Sequence, residues 1–558
     1  MNILKNLRYS LIFIYLFMFA ISQPSYAFFS FFAKTETIEL ELVYSSEKQA
    51  WFNEVIPAFN QAKLGDEKKK IIVQINAKPM GSGEMMQMLV DGTHQPHLVS
   101  PASNIFIKLY NARAESDAQK TLVNDTHNLV LSPVVIAMWQ PMAEALGWPD
   151  KLIGWEEIFK LANSEEGWGE FGHPEWGRFK FGHTHPEYSN SGMISALAEA
   201  YAGAGKNRVL KIKDVEKQKT KDFIQAIERS VIHYGRSTGF FSKKLFAHGS
   251  NLLNAVVLYE NMVIESYLPQ YKLESPIVAI YPKEGTFWSD HPIGVVEREW
   301  VSKKHRAAAK IFTDYLLAEA QQVKAQQYGL RPANLDIPLQ APFDIAHGVD
   351  PKQPQTILPI PQAKVMEKLL TIWQKNKKHS DIMLVFDISG SMKGQNKIQF
   401  AREGALELLE MLKAEDKFSL LLFNHKISWL GKQQYLESNR LFFEHVLNTI
   451  RSNGGTALYD AIDSAYDYMV ENFKNDSISA IIVLSDGTDG HSKDATLESL
   501  LEKIKQSSNK DIGIYPIAYG ADAEISILKK IAEAAYSKAY SAETTDIGVV
   551  FQDIATFF

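Results

Sequence analysis

The stretch from Asp381 to Asp387 is continuously apolar between its two carboxylates and lacks a helical period. It therefore predicts a strand buried on both faces. Further strands are predicted at 418–423, 427–430, 480–484 and 512–519. Helices are predicted at 397–412, 441–450, 458–473, 497–506, 524–535 and 546–556. Strands and helices alternating in this way predict a doubly wound α/β sheet.

Upstream, residues 38–45 alternate as a strand and 47–61 have helical spacing. Residues 71–75 form a second strand, and Gly81-Ser82-Gly83 opens a helix carrying Met85, Met86, Leu89 and Val90. Strand, helix, strand, glycine turn and helix predict a parallel α/β sheet. Beyond lie an apolar run at 130–138 and strands at 179–183, 277–281 and 293–296. Helices are expected at 155–162, 193–201, 222–234 and 251–264, with a long helical region over 303–328 that stops at Gly329. Six prolines between 336 and 361, with no periodicity, predict a semi-extended linker. A connecting helix over 362–378 follows, presenting Val365, Leu369, Leu370 and Trp373 on one face.

With 558 residues, two or three domains are expected. The net charge of −6 gives no basic field for nucleic acid. The chain has no cysteine, which excludes disulfides, thiolate metal sites, a cysteine nucleophile and lipoprotein-type lipidation. Lys5 and Arg8 precede the apolar stretch Leu11 to Ile21, and Ser25-Tyr26-Ala27 follows it. That pattern predicts a signal peptide over residues 1–27, hence a periplasmic or secreted protein with no membrane span after cleavage. The alternative is an uncleaved segment that anchors the chain to the envelope.

Asp387, Ser389 and Ser391 follow the first strand of the C-terminal sheet, with Gly390 expected to let the backbone turn between them. Asn453-Gly454-Gly455-Thr456 precedes a helix, and Ser485-Asp486-Gly487 ends another strand. Open α/β sheets bind at the carboxyl ends of their strands, so Asp387, Ser389, Ser391, Thr456 and Asp486 are expected on one edge. A set of carboxylate and hydroxyl oxygens suits a hard cation such as Mg²⁺. Hydroxyls and helix starts elsewhere are candidates for a small anionic solute: Ser45, Ser46, Ser82, Gly83, Ser103, Ser189 and Ser191, joined by Thr184. Capping those helices is the plainer role for any one of these serines. Gly235-Arg236-Ser237-Thr238-Gly239 matches a hydrolase pattern, but a helix is expected before it where a strand is needed, so Gly235 reads as a helix stop. His183 and His185, with His173, could bind a transition metal but read as cleft or surface histidines.

Two resemblances follow from these motifs. Residues 36–345 resemble a bacterial extracellular solute-binding protein in the stretches Leu129 to Met138, Phe181-Gly-His-Thr-His-Pro186, Val257 to Asn261 and Tyr328 to Asn334. The resemblance implies a two-lobed module, lobe I at about 36–130 and 293–345 and lobe II at about 131–292. Residues 379–558, with D-I-S-G-S-M, G-G-T and L-S-D-G in order, resemble a von Willebrand factor type A domain with its metal-ion-dependent adhesion site. This implies Mg²⁺, or Mn²⁺, held by Ser389, Ser391 and Thr456, with Asp387 and Asp486 helping directly or through water. One position stays open for an acidic residue of a partner protein. The expectation is a non-enzymatic exported binding protein. An importer receptor with an accessory docking domain is the first alternative, and a hydrolase using the cleft is the second.

Overall fold

The computed structural model describes residues 35–68, 70–116, 121–507, 510–520, 523–543 and 545–558. The expected signal segment lies outside them. Among the described residues, no helix is long and apolar enough to cross a membrane.

Among the described residues, three six-stranded sheets organise the fold. In the first, Glu36–Ser45 lies between Ile71–Met80 and Leu98–Ser100, parallel to both. Pro292–Val296 then returns antiparallel beside Leu98–Ser100 and pairs with Val123–Asn128, so this sheet is mixed rather than wholly parallel. The second sheet is built on Val130–Trp139, which pairs with Ala255–Tyr259, Ile277–Ile280, Trp288–Ser289 and Arg331–Pro332. Residues 251–264, expected as one helix, are instead the strand Ala255–Tyr259 followed by the short helix Glu260–Glu265. All five strand residues are buried, and a strand covered on both faces has no alternation to distinguish it from a buried helix. The helical region 303–328 is broken at Ala318 into Lys303–Leu317 and Glu319–Gln326.

The proline-rich segment, expected as a semi-extended linker, runs as a strap along the second sheet. Its backbone bonds Thr286 through Thr356 and Leu358, and Ala279 bonds the carbonyl of Gly348. Arg331 secures the strap, donating to both oxygens of the buried Glu260 at 2.7 and 2.6 Å and to the carbonyl of Pro351 at 3.2 Å. A planar guanidinium suits this bidentate grip.

The third sheet has the order Ile427–Tyr435, Lys417–Phe423, His379–Asp387, Ser477–Ser485, Ile512–Tyr519, Tyr540–Ala542, with only the first strand antiparallel. The three-residue strand Tyr540–Ala542 was too short to carry a readable pattern. Along the central strand, Ile382, Leu384 and Phe386 face one apolar cluster and Met383 and Val385 face another. Its continuous apolar run therefore reflects helices on both faces.

The connecting helix Ala363–Asn376 joins the two halves. Trp373 is fully buried between the rings of Tyr234 and His185, at centroid distances of 5.1 and 4.9 Å. Arg113 of the first lobe reaches Glu367 at 3.1 Å, and Lys368 reaches Glu216 of the second at 2.8 Å. On the other side, the amide of Tyr234 bonds the carbonyl of Phe557, whose ring stacks on Tyr515. Truncating such a tryptophan leaves a large void. Trp373→Ala is expected to lower stability by about 3–5 kcal/mol in chemical denaturation, and to make the cleft between the two halves accessible to limited proteolysis.

Candidate metal centre and interlobe cleft

The strand order of the third sheet places its topological switch point between His379–Asp387 and Ser477–Ser485, where chain connections leave in opposite directions. Asp387 ends one of these strands, and Asp486 follows the other. The register pairs Phe386 with Leu484, so the two carboxylates emerge side by side.

Asp387 is fully buried. One of its oxygens accepts from the amide of Ser389 at 2.7 Å and the other from the hydroxyl of Ser485 at 2.7 Å. Burial nonetheless pushes its carboxyl up to about 6, against those two hydrogen bonds and helped by the charge of Asp486. Ser389 and Ser391 lie with hydroxyls 2.9 Å apart, and the Ser391 hydroxyl donates to Asp486 Oδ1 at 2.7 Å. Asp486 Oδ2 takes the ammonium of the buried Lys397 at 2.8 Å. Ser391 is exposed and opens the cluster to solvent.

Thr456 enters from the middle loop. A Cβ on Gly487 would stand 3.6 Å from Thr456 Oγ1 and 3.8 Å from Ser391 Oγ, so the two hydroxyls border one small space. The carbonyl of Thr456 accepts from the amides of Gly490 and His491 at 3.0 Å each. Gly390 lies close against the middle loop: its amide bonds the carbonyl of Gly454 at 2.9 Å, and an added Cβ would stand 3.1 Å from that oxygen. Gly454 is the residue with left-handed backbone, φ +82°, and a side chain there would collide with His425. Asn424 ties the loops together by donating to both the carbonyl and the side-chain oxygen of Asn453.

The donor set therefore contains oxygen alone. Hydroxyls and carboxylates are the ligands a hard divalent cation takes, and hydrogen bonds of 2.7–2.9 Å hold Ser389, Ser391 and Asp486 together. All five expected residues meet here. Ser485, Lys397, His491 and Asn424 were not anticipated; the position of Ser485 beside Asp486 at a strand end was the signal available for it.

A family model described as bacterial extracellular solute-binding protein matches residues 40–331, and one described as von Willebrand factor type A domain matches residues 381–554. The chain belongs to the bacterial extracellular solute-binding proteins and carries a von Willebrand factor type A domain behind that module. Inter-alpha-trypsin inhibitor heavy chain H2 of Mus musculus is 29% identical over 164 residues, 27% of this chain and 16% of that one. The chain thus spans about a sixth of that curated relative's length. Among solved structures, the periplasmic binding protein P5PA aligns over 61% of this chain and 99% of its own at 13% identity and a TM-score of 0.40. A von Willebrand factor type A protein from Catenulispora acidiphila aligns over 32% of this chain and 42% of its own, at 20% identity and a TM-score of 0.29.

In the solute-binding module, the expected cleft residues are drawn together, but they bond one another across the lobes. Ser46 accepts from the amide of Gly239 at 3.2 Å, and Ser103 donates to Asn190 at 2.6 Å. The amide of Gly83 donates to the carbonyl of Tyr188 at 2.9 Å. Ser82 accepts from the amide of Ala102 within its own lobe. Thr184 and Ser191 form a separate hydroxyl cluster with Thr238, 2.7 and 2.8 Å apart, and Ser189 reaches Thr238 at 3.3 Å.

At the centre lies a charged group missed in the sequence. Lys48, fully buried, contacts Ser45, the carbonyl of Pro101 at 3.3 Å and Glu47 at 3.6 Å, while His291 lies 3.2 Å from Glu47. Burial draws the Lys48 ammonium down to about 8 against the attraction of Glu47. Burial alone would raise Glu47, but Lys48 and His291 override it and hold the carboxyl at about 2. Arg229 ends the helix before the Gly235–Gly239 pattern, so Gly235 lies in a loop rather than at the expected helix stop, and Ser237 precedes the helix Thr238–His248.

Asp387 supplies a signed pH test. Its folded carboxyl lies above the unfolded value of about 4, so its contribution to metal-free stability is complete below that value and is lost as pH rises through about 6. In EDTA, Asp387→Asn is expected to gain stability over the unaltered chain between those two pH values and to keep the gain above them. In saturating Mg²⁺ at neutral pH the order should reverse. Thermal melts across pH, with and without Mg²⁺, measure both.

Proposed function

We propose that this is an exported, non-enzymatic binding protein whose von Willebrand domain engages a partner protein through Mg²⁺, with Mn²⁺ able to take its place. The observation that carries the reading is the exposed Ser391 hydroxyl beside buried Ser389 and Asp486 at the sheet's switch point, a half-open oxygen set. Ser389, Ser391 and Thr456 would hold the ion, and Asp387 and Asp486 would act directly or through water. Mg²⁺ exchanges its waters while keeping octahedral geometry. A Glu or Asp carboxylate of the partner would replace one water on the Ser391 side. In this reading the signal segment sends the chain to the periplasm or cell exterior.

The solute-binding module would control this engagement. Arg236 of the second lobe pairs with Glu84 of the first and, at 2.7 Å, with Asp553 of the von Willebrand domain. A small solute that re-spaced the lobes would draw on Glu84 and so alter the grip on Asp553. The bridge consists of a single guanidinium with two carboxylates, and losing one of them changes its hold on the other.

The test is an affinity pull-down from an envelope extract with the full chain. Partners retained in Mg²⁺, released by EDTA and absent with Asp387→Ala would support the reading. Equal recovery in all three conditions would refute it.

A further inference from the structure

His183, Glu199 and Glu228 converge in the second lobe, each fully buried, with one ligand atom from each lying within 4.8 Å of the others. Glu199 stands on the helix Asn190–Ala204 and Glu228 on Gln218–Arg229, while His183 follows the short strand Phe181–Gly182. The connecting helix covers them with Trp373. The sequence pairing of His183 with His185 and His173 does not form: His185 packs on Trp373, and His173 stacks on Trp176 at the surface.

Hydrogen-bond accounting identifies what the cluster lacks. His183 Nδ1 lies 2.8 Å from the carbonyl of Thr184, which can only accept, so Nδ1 carries the proton. The other ring nitrogen, Nε2, lies 3.2 Å from Glu228 Oε1. Glu228 already receives the indole N–H of Trp373 at 2.5 Å and the hydroxyl of Tyr234 at 2.6 Å. Glu199 Oε1 receives the hydroxyl of Ser195 at 3.0 Å, and Glu199 Oε2 is buried with no hydrogen-bond partner. One imidazole and two carboxylates thus converge on a space that Glu199 Oε2 enters unpartnered, and a positive centre there would meet all three. The nearby Lys377 does not serve: its ammonium lies over the ring of Tyr234 at 5.7 Å and bonds the carbonyl of Lys378.

We propose that His183, Glu199 and Glu228 form a second metal centre, for a divalent ion of the zinc class, beneath the connecting helix. One imidazole nitrogen with two carboxylates is a donor set for zinc rather than for Mg²⁺. The 3.2 Å between Nε2 and Oε1 is close to the edge of roughly 3.4 Å expected for a tetrahedron with bonds of about 2.1 Å. The Nδ1–H bond to a backbone carbonyl is the outer contact that orients a metal-binding histidine. Trp373 and Tyr234 orient Glu228 in the same way. The ion would pin the two helices of the second lobe under Trp373, and so fasten the solute-binding module to the helix leading into the von Willebrand domain.

The adhesion-type site is silenced first, by Asp387→Ala in the full chain, so that the two centres are counted separately. After loading with Zn²⁺ and dialysis, this variant is expected to retain one equivalent by elemental analysis and to melt at a higher temperature than in chelator. Adding Glu199→Gln should reduce the retained zinc at least tenfold and abolish the zinc-induced shift. The amide can donate to Glu228 in place of the ion, so the chain should still fold. His183→Gln provides a second variant with the same expected loss. Zinc absent from the Asp387→Ala chain, or retained equally with Glu199→Gln and His183→Gln, would overturn the proposal.

Discussion

A carboxylate cut off from water is costly unless something positive or hydrogen-bonding meets it, and the end of the central strand of the C-terminal sheet puts Asp387 in that position. The strand brings it there because helices cover both faces, which makes residues 382–386 uniformly apolar. Its oxygens are met by the Ser389 amide and the Ser485 hydroxyl, yet its carboxyl stays well above the usual range. Asp486 beside it has Lys397 as a counter-charge. The serines and Thr456 are then arranged around the residual negative field, with Ser391 left at the surface. A hard cation would complete this arrangement electrostatically.

A similar logic is repeated elsewhere in the molecule. At the interlobe centre, Glu47 is compensated by Lys48 and His291 from the chain itself, with Asn190, Ser103 and Ser46 spanning the lobes around it. At the strap, Glu260 is compensated by Arg331. In both places the counter-charge is built in. The structure described is therefore one in which the lobes bond each other directly, and a solute would have to displace those bonds to enter between them. Arg236, holding Glu84 and Asp553 together, lies where such a displacement would be felt by the von Willebrand domain.

The oxygen cluster was legible because its residues sit directly after the strands that position them. An apolar run, then Asp387, Ser389 and Ser391, is a local signal, and Asp486 repeats it. The supporting residues were harder: Lys397 and Asn424 look like ordinary surface residues until the loops close on them. Ala255–Tyr259 was hidden for the opposite reason, since complete burial erases the alternation that marks a strand. The proline strap misled because composition describes the backbone's stiffness and not what the backbone rests against. His183 could be seen as a candidate ligand, but Glu199 and Glu228 lie on separate helices, and no spacing rule joins them to it. The cleft serines were recognised as a group; the Lys48–Glu47 pair between them was not, because two adjacent charges in a sequence ordinarily mark solvent exposure.

If the oxygen cluster at the sheet's switch point is a metal site, an ion with its own scattering signature will be visible in it. Crystals of the full chain grown in Mn²⁺ and measured at the manganese absorption edge test it most directly. An anomalous peak is expected at bonding distance from the hydroxyls of Ser389, Ser391 and Thr456, with an open position facing solvent. Strong manganese peaks elsewhere, with none in this cluster, would contradict it.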